Sequence, residues 1–472
     1  MNGRILTAML MLLVPESAWA GGSSAHVGPS VFGIPVDFLL FACTLLGVAL
    51  FHRHTLQVAL TGLAIIATYK VIFTGFVHGA GVSGLIQHIG HEWVILTNLL
   101  CLLMGFALLS NHFEESKIPE ILPRFLPSGW IGSFVLLFLI FVLSSFLDNI
   151  AAALIGGTIA NIVYRGKVHL SYLVAIVAAS NAGGSGSVVG DTTTTMMWIA
   201  GISPAEVFHA YVAAFPALFI FGIPAALIQH AHSPINPEPV VGVRMDMTRI
   251  AIVGFILFLA IGVNVTVNIK FNEYSDHFPF IGVAVWVALL LAAPIRKPHW
   301  EILPETFKGS LFLLSLVLCA SLMPVEKLPQ ASWLTAVGLG FVSAVFDNIP
   351  LTALAIKQGG YDWGLLAYAV GFGGSMLWFG SSAGVALSNL FPQARSTGLW
   401  LRHGLPVILA YILGCFFIAI YVQNADTIES HKQRTQYLAP MTGKKIVPTS
   451  QTAPAREVNQ PSHAVPKPEN SR

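Results

Sequence analysis

Charged side chains are scarce in this chain. Of its 472 residues only 10% are Asp, Glu, Lys or Arg, whereas 55% are hydrophobic. Soluble domains carry roughly 25% charged residues, because their surfaces must interact with water. The scarcity excludes a cytosolic enzyme, a disordered protein and a nucleic-acid-binding protein. The apolar runs are continuous over about 20 residues, which predicts an all-α polytopic membrane protein rather than a β-barrel of short alternating strands.

Cysteine is also rare, and its placement predicts neither disulfides nor a metal site. The four cysteines are Cys43, Cys101, Cys319 and Cys415, and each stands alone in an apolar run. Such residues act as small hydrophobic side chains in helix packing. No HExxH or other metal-ligand spacing occurs among the 16 histidines. We therefore expect no enzymatic activity and no resident cofactor, and we keep a membrane enzyme only as a weak alternative.

Both termini differ from the apolar body. Arg4 precedes an apolar stretch that ends at Val14, and Ala18-Trp19-Ala20 follows. This order is typical of a secretory signal peptide over residues 1–20, although an uncleaved anchor helix remains an alternative. Residues 424–472 are polar and lack apolar periodicity, which predicts a disordered tail.

The charge asymmetry of the loops predicts one orientation. Eight apolar segments lie at about 34–51, 55–75, 94–111, 205–228, 248–268, 279–294, 306–323 and 404–423. With the mature N-terminus outside, most of the Lys and Arg residues of the loops fall on the inner side, as the positive-inside rule requires. Lys70 lies near the outer end of its segment, where we expect it to extend to the membrane interface.

Two motifs recur in the same order along the chain. SSFLDNI at 144–150 returns as SAVFDNI at 343–349. GGS at 183–185 is followed, after four residues, by GD at 190–191. In the same way, GGS at 373–375 is followed, after four residues, by GS at 380–381. Glu92 and Glu305 begin the apolar helices that precede each copy. The sequence therefore predicts an internal duplication.

The orientation places the two copies on opposite sides of the membrane. The first half, residues 21–230, contains an inner re-entrant hairpin at 131–164 and a discontinuous helix at 170–200. The second half, residues 231–423, contains an outer hairpin at 332–358 and a discontinuous helix at 363–390. Inverted repeats with interrupted helices in matching positions are typical of secondary transporters that bind their substrate near the midplane.

The interruptions contain the polar residues. Asp148 and Asp347 lie inside apolar runs, where a carboxylate costs at least about 2.5–3.5 kcal/mol on insertion scales. Asn149 and Asn348 follow them directly. A helix break in hydrocarbon exposes backbone groups that must line a polar cavity. A carboxylate that merely caps a half-helix is the alternative, but the duplication of both residues argues against it.

The first discontinuous helix has the composition of a cation site. Its SNAGGSGSVVGDTTTT at 180–195 supplies amide, hydroxyl and carboxylate oxygens, which hard cations prefer. No phosphate-loop pattern is present, Asp191 would repel an anion, and neither motif contains Lys or Arg. Ser381 replaces Asp191 in the second copy, so the half-sites are unequal. A proton and Na⁺ could compete for one carboxylate, which is sufficient to couple their antiport.

The strings SNAGGSGSVVGDTTTTMMWIAG at 180–201 and GFGGSMLWFGSSAGVALSN at 371–389, with the DNI motifs, resemble the NhaD-type sodium/proton antiporters. These belong to a superfamily that also contains arsenite and dicarboxylate carriers. The resemblance implies a multi-pass protein of the bacterial inner membrane, a homodimer, and Na⁺ or Li⁺ and H⁺ as transported ions. It implies the ion-coupling residues Asp148, Asn149, Asn181, Asp191, Thr193, Thr194, Ser343, Asp347, Asn348 and Ser381. Glu92, Glu305, Ser185 and Ser375 are accessory candidates.

Two points qualify the resemblance. Trp378 stands where a small polar residue is expected, which would alter the second half-site. A cation-coupled carboxylate or oxyanion carrier of the same superfamily is the alternative function, against which the missing basic residues argue.

Overall fold

The computed structural model describes residues 29–51, 54–77, 79–121, 125–235, 244–271, 274 and 277–438. The predicted signal peptide, residues 1–20, lies outside the described residues. The chain divides into a large unit that ends at Tyr421 and a short one that begins at Val422.

The described residues form an all-α protein apart from one short hairpin of two strands, Ser30–Val31 (β1) and Ile34–Pro35 (β2). The helices of the first half are α1 Val36–Leu50, α2 Thr55–Tyr69, α3 Gly81–Glu115, α4 Ile118–Ile121, α5 Trp130–Ser144, α6 Asn149–Val163, α7 Leu170–Ser185, α8 Thr192–Ile199, α9 Pro204–Phe208 and α10 Tyr211–His232. A π-helical turn, Lys70–Thr74, extends α2.

The second half follows with α11 Met247–Lys270, α12 Phe280–Ala292, α13 Leu303–Ser321, α14 Trp333–Ser343, α15 Asn348–Gln358, α16 Trp363–Gly373, α17 Ser382–Leu390, α18 Thr397–His403 and α19 Leu405–Leu438. Short 3₁₀ turns occur at Trp300–Ile302, Val325–Lys327, Gly374–Met376 and Pro392–Arg395.

Six of the described segments are long and apolar enough to cross a membrane. They are Thr55–Thr74, Gly81–Glu115, Pro204–His232, Met247–Val267, Trp300–Ser321 and Leu405–Val422. The all-α architecture and these segments agree with the predicted polytopic membrane protein. The C-terminal helix continues to Leu438, so it includes the beginning of the segment predicted as a disordered tail; residues 439–472 lie outside the described residues.

The helix breaks occur at the duplicated motifs. Residues 145–148 separate α5 from α6, and residues 344–347 separate α14 from α15. Residues 186–191 separate α7 from α8, and the segment between Gly373 and Ser382 separates α16 from α17. The individual helices of these pairs have 8 to 16 residues, which is short for a membrane span of about 20 residues. Each polar motif therefore lies between two short helices.

An ionic cluster joins three loops that were predicted on the inner side. Arg249 forms an ion pair with Glu115 at the end of α3, and His299 Nε2 lies 2.7 Å from Glu115 Oε1. Arg296 Nε donates to Asp246 Oδ2 over 2.9 Å. This hydrogen bond lowers the pKa of the Asp246 carboxyl. The cluster places the ends of α3, α11 and α12 on one side of the protein, as the predicted orientation requires.

Lys70 is buried rather than extended to the interface. Its side chain is 9% exposed, and its Nζ lies 3.5 Å from Oδ1 of Asp37, whose side chain is 4% exposed. Both residues line a cavity of about 320 Å³ that also contains Lys357. The prediction for Lys70 is wrong because an acidic partner on α1 makes burial of the ammonium group possible.

Glycine permits close contact between α5 and α7. A Cβ atom on Gly183 would lie 2.0 Å from the carbonyl oxygen of Phe141, a backbone atom that cannot easily move. Gly190 approaches the carbonyl oxygen of Ser144 equally closely. The discontinuous helix can therefore touch the backbone of the first helix pair only where side chains are missing.

We expect Gly183→Ala to lower the melting temperature of the detergent-purified protein, with a loss of about 1–3 kcal/mol from overpacking. Gly254→Ala is the matched control, because a Cβ atom there meets nothing within 4 Å. It should leave the melting temperature unchanged or raise it slightly. Equal effects of the two substitutions would contradict the tight crossing of α5 and α7.

A histidine caps the first turn of α7. His169 Nδ1 accepts a hydrogen bond from the backbone N–H of Ser171 over 3.2 Å. The His169 ring lies against the rings of His232 and His403, with centroid distances of 5.3 and 5.1 Å. Burial lowers the pKa of His169, and the two neighbouring histidines lower it further. The cap requires neutral His169, because a protonated Nδ1 cannot accept a hydrogen bond.

This cap predicts a pH-dependent stability. Because the folded protein lowers the pKa of His169, the group has no effect well above its ordinary pKa of about 6.5 and destabilises the fold as the pH falls below that value. His169→Asn keeps a capping oxygen that does not titrate. We expect the melting temperature of this variant to fall less than that of the wild type between about pH 7.5 and 5.5. Parallel declines in the two proteins would show that His169 is not responsible.

Candidate functional site

The tip of the first helix pair touches the discontinuous helix. Ser144 Oγ donates a hydrogen bond to the carbonyl oxygen of Ser180 over 2.6 Å. Ser145 Oγ lies 3.1 Å from the carbonyl oxygen of Gly183, which also accepts a hydrogen bond from the hydroxyl of Tyr211. These contacts fix the break at 145–148 beside the break at 186–191, so the two polar motifs of the first half form one site.

Asn149 connects these two breaks through its side chain. Its Nδ2 donates to Asn181 Oδ1 and to Asp191 Oδ1, each over 3.1 Å. Asp191 is 3% exposed and directly precedes α8. Thr193 Oγ1 donates to the other carboxylate oxygen of Asp191. The structure therefore brings together four of the predicted residues, which are Asn149, Asn181, Asp191 and Thr193. Asn149 and Thr193 donate to the buried carboxylate of Asp191.

The hydroxyls of Thr194 and Thr195 bond to the backbone at the break between α7 and α8. Thr194 Oγ1 bonds to the carbonyl oxygens of Ser187 and Asp191 over 2.6 and 2.9 Å. Thr195 Oγ1 bonds to the carbonyl oxygens of Val188 and Asp191 over 2.9 Å. Thr194 was predicted to act on the ion; the structure directs its hydroxyl to the backbone carbonyl oxygens of Ser187 and Asp191.

Asn181 links the two halves of the protein. Its Nδ2 donates to Ser375 Oγ over 2.9 Å and to Ser381 Oγ over 3.0 Å. All three residues are at most 1% exposed. Both serines were predicted as site residues from the second copy of the motif. Both accept hydrogen bonds from the side-chain amide of Asn181, which belongs to the first half-site. Ser185 instead donates to the carbonyl oxygen of Ala182 within its own helix.

The second half-site has the same arrangement of helix breaks around an aspartate, with fewer side-chain hydrogen bonds between its residues. Asp347 Oδ1 accepts from the backbone N–H of Ile349 over 3.1 Å, and Oδ2 accepts from Ser382 Oγ over 3.1 Å. Ser343 Oγ donates to the carbonyl oxygen of Val370 over 2.8 Å. Sequence reasoning missed Ser382, although the repeat aligns it with Thr192.

The two copies differ because Gly371 replaces Asn181. Asn149 has two side-chain partners, whereas the buried Nδ2 of Asn348 has no hydrogen-bond partner among the described residues. A Cβ atom on Gly371 would lie 3.3 Å from Asp191 Oδ2. The missing side chain at Gly371 thus leaves space for Asp191 and leaves Asn348 without its counterpart of Asn181.

Each aspartate faces a cavity. One cavity of about 350 Å³ is lined by Asp148, Asp191, Thr192 and Thr195 together with faces of α3 and α13. A second of about 320 Å³ is lined by Asp347, Ser381 and Ser382. Among the described residues that line either cavity there is no Lys, Arg or His. The described residues also contain no group of three His, Cys, Asp or Glu that could hold a metal ion. Both cavities therefore suit a small cation.

The accessory glutamates and Trp378 lie apart from these cavities. Glu92 interacts electrostatically with Lys357, which donates to the carbonyl oxygen of Met323 over 2.8 Å. Glu305 is exposed in the first turn of α13. Trp378 Nε1 donates to Thr397 Oγ1 over 3.1 Å, and the indole lines neither aspartate cavity. The effect of Trp378 on the second half-site stays a prediction.

The bridge through Asn181 predicts a stability effect. Asn181→Ala removes two donated hydrogen bonds and one accepted bond inside the protein, and we expect a loss of about 1–3 kcal/mol. Asn161→Ala is a control, since Asn161 is exposed on α6. Melting temperatures of the two purified variants measure the difference. A wild-type melting temperature for Asn181→Ala would contradict the bridge.

Comparison with known proteins agrees with the motifs. No family model matches the chain. It is 27% identical over 399 residues to the Na⁺/H⁺ antiporter NhaD of Alkalimonas amylolytica, which covers 71% of this chain and 79% of that protein. It is 26% identical over 391 residues to the Na⁺/H⁺ antiporter NhaD of Halomonas elongata. This alignment covers 70% of this chain and 76% of that protein.

The plant relatives are matched over a shorter part of their length. Sodium/proton antiporter 1 of Arabidopsis thaliana is 27% identical over 322 residues, which is 61% of this chain and 53% of that protein. The chain thus matches about half of this relative. Together with the bacterial relatives, these similarities relate the chain to the NhaD-type antiporter family.

Proposed function

We propose that this protein is a secondary active transporter that exchanges Na⁺ or Li⁺ for H⁺ across the bacterial inner membrane. One observation carries the proposal. Asp148 and Asp191 line the same cavity, whose described lining contains no basic residue. A carboxylate in such surroundings requires a proton or a cation to neutralise it. The relatives are named as sodium/proton antiporters, which agrees with this function.

Coupling follows from competition for the same oxygens. Asn149 and Thr193 donate to the two carboxylate oxygens of Asp191 and hold the group in one orientation. When Asp191 is ionised, its lone pairs and those of nearby hydroxyl and carbonyl oxygens can coordinate Na⁺ or Li⁺. When a proton occupies the carboxyl, the negative charge that binds the cation is lost. One site can therefore be loaded with a cation or a proton but not with both.

The repeated helix breaks supply the framework for alternating access. We take the pairs α5–α6 and α14–α15 as re-entrant hairpins, and the pairs α7–α8 and α16–α17 as discontinuous membrane helices. Their motifs recur in the same order and with opposite orientation in the membrane. The proposal includes a homodimer, which the family resemblance implies.

A carboxylate or oxyanion carrier of the same superfamily is the less favoured function. An anionic substrate needs donors such as Lys or Arg. The described residues that line the two aspartate cavities include neither. Asp148, Asp191 and Asp347 would repel such a substrate.

The test uses everted membrane vesicles with a pH-sensitive dye. Na⁺ and Li⁺ should each collapse a preformed proton gradient at about pH 7 to 9, whereas K⁺, citrate and arsenite serve as comparisons. Asp148→Asn and Asp191→Asn should each reduce the Na⁺ response to that of vesicles without the protein. Both substitutions keep the volume of the side chain and remove the titratable charge.

Asp362→Asn is the matched control. Asp362 caps α16 through a hydrogen bond from the N–H of Leu365 over 2.7 Å, which asparagine can also accept. It should retain exchange. No response of the wild type to Na⁺ or Li⁺ would refute the antiporter, and a response to citrate or arsenite would favour the carrier.

A further inference from the structure

One face of α3 forms a wall of the cavity that contains Asp148 and Asp191. Leu99, Leu103, Ser110 and Glu114 recur at intervals of about one or two helical turns along that face. The first half of α13 also lines the cavity, through Thr306, Gly309, Ser310 and Leu313. Glu114 is the third carboxylate of the cavity, and the sequence motifs gave no reason to select it.

Glu114 lies at the mouth of this cavity. Its side chain is exposed, whereas Asp191 is 3% exposed. It occupies the last turn of α3, about 22 Å along the helix axis from Leu99 at the other end of the lined face. The following residues lead into the ionic cluster of Arg249 and Asp246. The mouth is therefore at the end of the protein that the charge asymmetry predicts to face the cytoplasm.

The neighbouring Glu115 has different surroundings. Its carboxylate forms an ion pair with Arg249, and its Oε1 lies 2.7 Å from Nε2 of His299. Glu115 does not line the cavity. Successive residues of a helix point about 100° apart, so a pair of adjacent glutamates can face two environments. The chain thus provides two adjacent carboxylates, of which one faces the cavity and the other neutralises an arginine.

We propose that Glu114 is a mouth carboxylate that attracts cations into the inner cavity and thereby sets the apparent affinity for cytoplasmic Na⁺. A charge at the opening of a cavity with apolar walls concentrates counter-ions there, because the low-dielectric walls focus its field. The walls beyond Glu114 include Leu102, Phe106 and Leu154. Glu114 does not hold the ion during exchange; Asp148 and Asp191 do. This inference rests on the proposed antiport.

The first experiment measures exchange in everted vesicles, whose outer solution contacts the cytoplasmic face. Glu114→Gln should raise the apparent KM for Na⁺ roughly threefold to tenfold at about 10 mM ionic strength and leave the maximal rate unchanged. In about 0.3 M choline chloride the difference should shrink below about twofold, because salt screens the field of an exposed charge. Asp362→Asn, which removes a carboxylate that lines neither aspartate cavity, should not change the salt dependence of KM. An unchanged KM, or a reduced maximal rate that salt does not affect, would overturn the proposal.

The second experiment does not require antiport. In a variant with all four cysteines replaced, Thr306→Cys places a thiol in the lining of the same cavity. Its modification by a cationic methanethiosulfonate, relative to an anionic one, should slow by at least about threefold when Glu114→Gln is added. Adding Asp362→Asn should not produce this change.

The two experiments separate the possible failures. If the wild type exchanges no Na⁺ but the labelling ratio depends on Glu114, the antiporter is refuted and the cation-attracting role of Glu114 stands. If exchange is normal and the ratio is indifferent to Glu114, the mouth carboxylate is refuted. A ratio that responds equally to Asp362→Asn also refutes it, because the effect is then not specific to the cavity.

Discussion

The hydrogen bonds from the Asn149 amide to Asn181 and Asp191 hold the central site together. They connect the break between α5 and α6 with the break between α7 and α8. Each break leaves backbone groups that cannot face lipid, so the two breaks must satisfy each other or line a cavity. The serine and threonine hydroxyls complete this network by bonding to backbone carbonyl oxygens. Removal of the amide would leave a buried carboxylate with fewer donors, which is expensive in hydrocarbon.

The two halves contribute unequally to this network. Only the first half has a carboxylate, that of Asp191, directly before the second part of its discontinuous helix, where the second half has Ser381. Only the first half has an asparagine at the position of Asn181, where the second half has Gly371. That asparagine also bonds to Ser375 and Ser381, so the second half contributes hydroxyls to the first half's site. Gly371 leaves space beside Asp191. The two copies therefore build one strong anionic centre with a weaker one around Asp347, rather than two equal sites.

Much of this arrangement could be predicted from the sequence. Polar residues in apolar runs are costly, so Asp148, Asn149 and Asp191 stood out, and the helix breaks occur where glycine and asparagine interrupt those runs. The direction of the Thr194 hydroxyl could not be predicted, because it depends on carbonyl groups that only the folded break exposes. Ser382 and Glu114 were missed because their neighbours lie far away in the sequence. Glu92 was selected from the family resemblance as a residue that begins a helix, whereas α3 begins at Gly81. Glu305 was selected by internal symmetry, and neither glutamate lines an aspartate cavity.

The length of α3 has a consequence for the environment in which the cavity opens. Its 35 residues extend over about 52 Å, whereas the hydrocarbon core of a bilayer is about 30 Å thick. Even when tilted, such a helix reaches the headgroup layer at one end or both. If the end that reaches this layer is the one with Glu114 in its last turn, the cavity opens where anionic lipids enrich sodium ions and protons relative to bulk water. The ion concentrations at the cavity would then be those of the membrane surface, and the working range of the protein would depend on the lipids of its host membrane.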